Sequence, residues 1–143
     1  DGVAIADRYR LPDEIKQFIV THHGTSCAAY FLTKYLNAGG DPDKTDTFYY
    51  KGQVPSTKEQ SIVMVCDTLE AASRTLTDFS RNAGSDFVDR VFSSKLKEGQ
   101  FADSALTERE IGIIKSTLKE YIANMHHARI VYPKRKGGSK ERF

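Results

Sequence analysis

Apolar residues recur at helical spacing along most of the chain, and no stretch alternates in the manner of a strand. Val3, Ile5 and Ala6 look like a helix already under way, closed by Leu11-Pro12, and Pro12 suits the first turn of a second helix, Asp13 to His23. A third helix is predicted from Thr25 or Ser26, with Ala28, Phe31, Leu32, Tyr35 and Leu36 on one face. Asn37-Ala38-Gly39-Gly40 stops it. Residues 39–57 form a long polar loop around Phe48-Tyr49-Tyr50, rings that either cover the core or offer a stacking surface to a base. Thr57 and Gln60 make a capping box for a fourth helix. Ile62, Val65, Cys66, Leu69, Ala72 and Leu76 fall on one face of it, with Val63, Met64 and Ala71 opposite, so it is predicted to be buried on both sides. Residues 77–85 read as a turn, and Ser85 as the cap of a short helix through Phe87, Val88, Val91, Phe92 and Leu96. Thr107 with Glu110 caps the last helix, which carries Ile111, Ile114, Leu118, Tyr121, Ile122 and Met125. The fold class is all-α.

Two features of that pattern carry chemistry. His22 and His23 sit side by side at the end of the second helix, beside its apolar stripe, and Gly24 follows at once. Either Gly24 ends the helix and the imidazoles favour its negative end, or the pair holds a ligand. Asp67 lies within the fourth helix, where an unpaired carboxylate would be too costly to keep charged; it must meet a cation, a metal or strong donors. Arg74 is too far along for a direct contact with Asp67 and is expected to pair with Glu70 at i,i+4. His126 and His127 have no acidic or histidine partner at ligand spacing and read as structural or exposed.

Composition narrows the partners. At 143 residues the chain fits one domain. The net charge of +2 is uneven: residues 134–143 hold five bases and one acid, leaving the body slightly acidic. That balance does not resemble a surface for nucleic-acid polymers, and Gly137-Gly138-Ser139 marks the tail as a disordered end. Cys27 and Cys66 lie in apolar helical patterns without CxxC spacing and are expected as buried thiols. No apolar run approaches the ~18 residues of a membrane span and no signal peptide is visible, so these residues read as soluble. Opening on Asp1-Gly2 without an initiator methionine, the chain reads as an excerpt.

The order Asp1-Gly2-Val3, Tyr9-Arg10-Leu11-Pro12, His22-His23-Gly24-Thr25, then Thr57-Lys58-Glu59, Asp67 with Glu70-Ala71-Ala72-Ser73-Arg74, Glu98-Gly99-Gln100, Leu106-Thr107, Arg129-Ile130 and Tyr132-Pro133 resembles the HD-superfamily phosphohydrolases fused to a seven-helix membrane region, the PgpH-type cyclic-di-AMP phosphodiesterases. The likeness implies that residues 1–133 are the C-terminal portion of an HD-domain-like helical bundle, with 134–143 a basic disordered tail. It implies two divalent metals, iron or manganese, with His22 and His23 on one and Asp67 on the other. Lys58 and Arg74 would lie near the substrate phosphates and Thr25 at the pocket rim. The family's first ligand histidine, its HD dipeptide and a further histidine would lie before Asp1, so this fragment alone is expected to be inactive, to bind metal weakly if at all, and to self-associate. The resemblance further implies a cyclic dinucleotide substrate and a parent protein held at the cytoplasmic face of the inner membrane. Two other readings are a degenerate HD module that binds a nucleotide signal without cleaving it, and a helical interaction domain.

Overall fold

A computed structural model describes residues 2–78 and 80–128, the side chains of 126–128 excepted. Among the described residues six α-helices follow one another: α1 (Gly2–Arg8), α2 (Asp13–Thr21), α3 (Ala29–Asn37), α4 (Lys58–Ser73), α5 (Arg81–Lys97) and α6 (Glu108–Ala128). One 3₁₀ turn, Asp46–Phe48, lies in the long loop, and the only β-type pairing among the described residues is a single bridge between Cys27 and Tyr49. The chain is all-α, as its periodicity indicated. The expected tail, residues 134–143, and the imidazoles of His126 and His127 lie outside what is described.

Helix α4 stands in the middle, with α2 against one side and α5 against another, while α6 lies along α5. The core is Met64, Val65 and Leu69 of α4, Phe87, Val88, Val91 and Phe92 of α5, and Ile122 of α6. Gly84 lets α5 and α6 close up, since a Cβ there would stand 3.0 Å from Ile122 Cγ2. Charges join the same pair of helices: Asp89 lies 2.6 Å from both Lys115 and Lys119, and Arg81 pairs with Glu120.

Four expectations need correction. The buried stripe of α4 runs through Ser61, Met64, Val65 and Leu69, whereas Ile62, Val63 and Cys66 are exposed. Two neighbours press on this helix, but they leave a third side to solvent. Cys27 and Cys66 are free thiols, yet Cys27 is only half-buried. Helix α5 begins at Arg81, earlier than Ser85, because Ser80 accepts from the Ala83 N–H as its cap. Helix α3 begins later than expected, at Ala29, since residues 26–28 are spent on the long loop: Ala28 N–H donates to Phe48 O and Tyr50 N–H to Ser26 O. Both capping boxes form around their threonines. Thr107 and Glu110 bond reciprocally; at α4 Thr57 accepts from Gln60 N–H, while the Gln60 amide reaches back to Ser56 N–H.

Two carboxylates tie the ends of this frame, and each titrates low. The Lys115 and Lys119 ammonium groups hold Asp89 below its ordinary value. Lys58, with the Thr107 cap, brings Glu110 down to about 2. A depressed folded value stabilises the fold above the unfolded carboxylate range, and the benefit is lost as pH falls through the folded value. Urea unfolding midpoints are therefore expected to drop between roughly pH 4.5 and 2, and Glu110→Gln is expected to shallow that drop. At neutral pH Asp89→Asn is expected to cost about 1 kcal/mol, modest because the pairs are partly exposed; a urea midpoint unchanged by that substitution would count against the pairing.

Candidate metal centre

The site is assembled where α2 ends. His22 is the C-cap of α2, and its Nδ1 lies 2.9 Å from Ile19 O and 3.1 Å from Phe18 O. Carbonyl oxygens only accept, so Nδ1 must carry a proton, and in the neutral ring the lone pair is then on Nε2. An imidazole whose second nitrogen is tied to a backbone carbonyl is the arrangement found in metal-ligating histidines. The His23 ring follows 4.0 Å from that of His22, and its Nδ1 lies 3.2 Å from Asp67 Oδ2. The Tyr50 ring stacks on that of His23 at 4.2 Å. Burial, the neighbouring His22 and Lys95 lower the pKa of His23 against the upward pull of Asp67, which favours a neutral ring able to act as a ligand.

Two cavities meet at this pair. His22, His23, Gly24 and Tyr50 line one of about 310 Å³. His23, Tyr50, Asp67, Arg74 and Lys95 line the other, of about 550 Å³. His23 and Tyr50 thus form the partition between them.

Gly24 makes the geometry feasible. Its φ of +56° turns the chain out of α2, and a Cβ there would fall 2.0 Å from Gln100 Oε1. Gln100 is 1% exposed; its Oε1 accepts from Thr25 N–H and its Nε2 donates to Thr25 Oγ1 and Glu98 O. One buried amide therefore locks the turn after the histidines to the end of α5.

The remaining sequence-derived site residues separate. Arg74 lines the larger cavity, but its guanidinium is bidentate on Glu70, the ion pair expected from their spacing. Lys58 lines neither cavity, and its ammonium is given to Glu110 at 2.6 Å. Thr25 is held by Gln100 and is also absent from both linings. Of the aromatic triplet, Phe48 packs on Tyr35 and Tyr50 on His23. Lys95, by contrast, escaped the sequence reading. It follows Val88, Val91 and Phe92 at seven, four and three residues, on the stripe that faces the core, and that spacing was the available signal.

Two imidazoles and one carboxylate are donor types that hold divalent metals. A catalytic centre needs three protein ligands for each zinc-type ion and more for a pair. Among the described residues no group of three or more His, Cys, Asp and Glu side chains is placed to hold a metal by itself. The residues present fit one side of such a centre.

In sequence and fold the chain matches part of an HD domain of the PgpH type. It is 34% identical over 133 residues to the cyclic-di-AMP phosphodiesterase PgpH of Bacillus subtilis, a match covering 93% of this chain and 19% of that protein. The solved HD domain of Listeria monocytogenes PgpH is 30% identical, with a TM-score of 0.77 over 88% of this chain and 58% of that one. The same domain in complex with cyclic-di-AMP superposes with a TM-score of 0.78, covering 87% and 57%. No family model matches the chain. It spans less than a fifth of the curated relatives' length.

Proposed function

We propose that this chain serves a metal-dependent phosphodiesterase that opens a cyclic dinucleotide, cyclic-di-AMP by likeness to its relatives, to the linear dinucleotide. The observation that carries the reading is the joint placement of His22, with Nε2 bare, and His23 against Asp67. These three would hold metal together with donors from other residues. A metal pair, when bound, would polarise phosphoryl oxygens and supply a nucleophile at neutral pH. The chain's own contribution is to orient the ligands. The Ile19 and Phe18 carbonyls fix the tautomer of His22, burial with His22 and Lys95 nearby favours a neutral His23, Tyr50 stacks on the His23 ring, and the Gln100 lock holds the turn beside both. Arg74 stands at the cavity wall, where a phosphate could draw it from Glu70. Water adds to phosphorus, the bond to one ribose 3′-oxygen breaks, and that oxygen leaves with a proton.

Since the described residues bring at most three donors to the centre, these 143 residues alone are expected to give no turnover. Among the described residues no helix is long and apolar enough to cross a membrane. Attachment of the parent protein to the inner membrane, facing the cytoplasm, therefore belongs to this proposal through the family likeness alone, while self-association of the fragment is expected from apolar side chains left exposed, Ile5, Tyr9 and Ile15 among them. The test is to incubate the complete protein with cyclic-di-AMP and manganese or ferrous iron and to follow the linear dinucleotide by chromatography. Metal-dependent conversion that a chelator stops is the expected result. Tight binding with no conversion would replace the hydrolase by a nucleotide sensor.

A further inference from the structure

Lys95 is the most deeply buried charged group in the wall of the larger cavity, at 6% exposure. A lysine is rarely buried this far without an ionic partner. Its ammonium has three N–H donors, and the hydrogen bond it makes is to Ser26 Oγ, at 2.6 Å. That hydroxyl neutralises nothing. The nearest carboxylate oxygen paired with it, Glu98 Oε2, stands 4.0 Å away, beyond hydrogen-bond reach, while the other Glu98 oxygen accepts from Ser94. Asp67 across the cavity is already turned to His23. The second cation of this wall, Arg74, has its guanidinium spent on Glu70. The cavity therefore contains a desolvated cation with unspent donors beside the two groups assigned to metal.

We infer that Lys95 is an anion subsite of this cavity: its ammonium, steered by Ser26, donates to a non-bridging phosphate oxygen of the substrate while His23 and Asp67 hold metal at the neighbouring side. The inference rests on the phosphodiesterase reading for the identity of the anion, but not for the existence of the subsite. Ser26 acts as a positioning residue, placed by the pairing of residues 26–28 with the long loop. In a desolvated wall a charge-assisted hydrogen bond of this kind is worth more than one at the surface, and its loss should weaken binding about 10- to 100-fold.

The test compares wild type, Lys95→Met and Lys95→Arg in the complete protein. Inorganic phosphate affinity is measured by calorimetry, KM and kcat with cyclic-di-AMP, and the fold by thermal melting. The expected result for Lys95→Met is a phosphate Kd and a KM raised about 10- to 100-fold with its melting temperature close to that of wild type, and Lys95→Arg is expected to recover most of the affinity. Unchanged phosphate affinity and KM in a folded Lys95→Met protein would overturn the subsite. Should Lys95→Met not fold, the wild-type protein still decides: the side-chain ¹⁵N resonance of Lys95 shifts on titration with phosphate and not with chloride at equal ionic strength, and a resonance that does not move overturns the assignment. Failure of the two readings is distinguishable. Cleavage with no phosphate effect at Lys95 removes the subsite alone, and phosphate binding through Lys95 without cleavage keeps the subsite and removes the hydrolase.

Discussion

His22→Ala and Asp67→Ala are each expected to lower kcat for cyclic-di-AMP in the complete protein by about 10²–10³-fold or more, while Lys58→Ala stays close to wild type. His22 earns this rank through its tautomer. With Nδ1 committed to the α2 carbonyls, Nε2 is the nitrogen available to a cation. Asp67 contributes the only carboxylate that meets the histidine pair among the described residues. Its loss also leaves His23 without the group that holds its ring in place. Asp67→Asn separates the two effects, since the amide keeps the shape and removes the charge; it is expected to be nearly as inactive as the alanine variant. Lys58 is the control because its ammonium pairs with Glu110, at the far end of α4. Steady-state kinetics with melting curves for each variant make the check, and a His22→Ala protein that keeps most of its kcat would contradict the assignment.

Gly24→Ala is expected to be the most damaging substitution outside the ligands, costing about 2–4 kcal/mol of stability and most of the activity together. Two penalties coincide at this residue. The left-handed φ of +56° strains any residue with a Cβ, and that Cβ would be driven to 2.0 Å from Gln100 Oε1. Gln100 cannot simply swing away, because doing so leaves the Thr25 amide, Thr25 Oγ1 and Glu98 carbonyl without their buried partner. Since Gly24 adjoins His23, the displaced turn moves a proposed ligand. Melting temperature and metal content are expected to fall together. An alanine variant that melts like wild type would show that the turn is looser than the Gln100 lock requires.

Helix count, helix order and the central place of α4 were legible because periodicity reports which residues share a face. It reports less well which face wins. Ile62 and Cys66 fit the helical stripe as well as Met64 does, and only the arrival of α2 and α5 on particular sides of α4 decides that Met64 is buried and Cys66 is not. The start of α3 was misread for a related reason: residues 26–28 pair with residues 48–50, a long-range exchange that local propensity does not contain. At the site, adjacent histidines and a carboxylate inside a helix were readable as residues in need of partners. Their meeting, 44 residues apart along the chain, was not. Gln100 and Lys95 were not singled out as site residues in the sequence. Their roles exist only where α2, α4 and α5 come together.

The most direct measurement is anomalous diffraction from crystals of the complete protein with manganese, collected at the metal's absorption edge. The account predicts density within about 2.0–2.3 Å of the Nε2 of His22 and of a His23 or Asp67 donor atom. Metal bound elsewhere, with His22 and His23 turned to solvent, would contradict it.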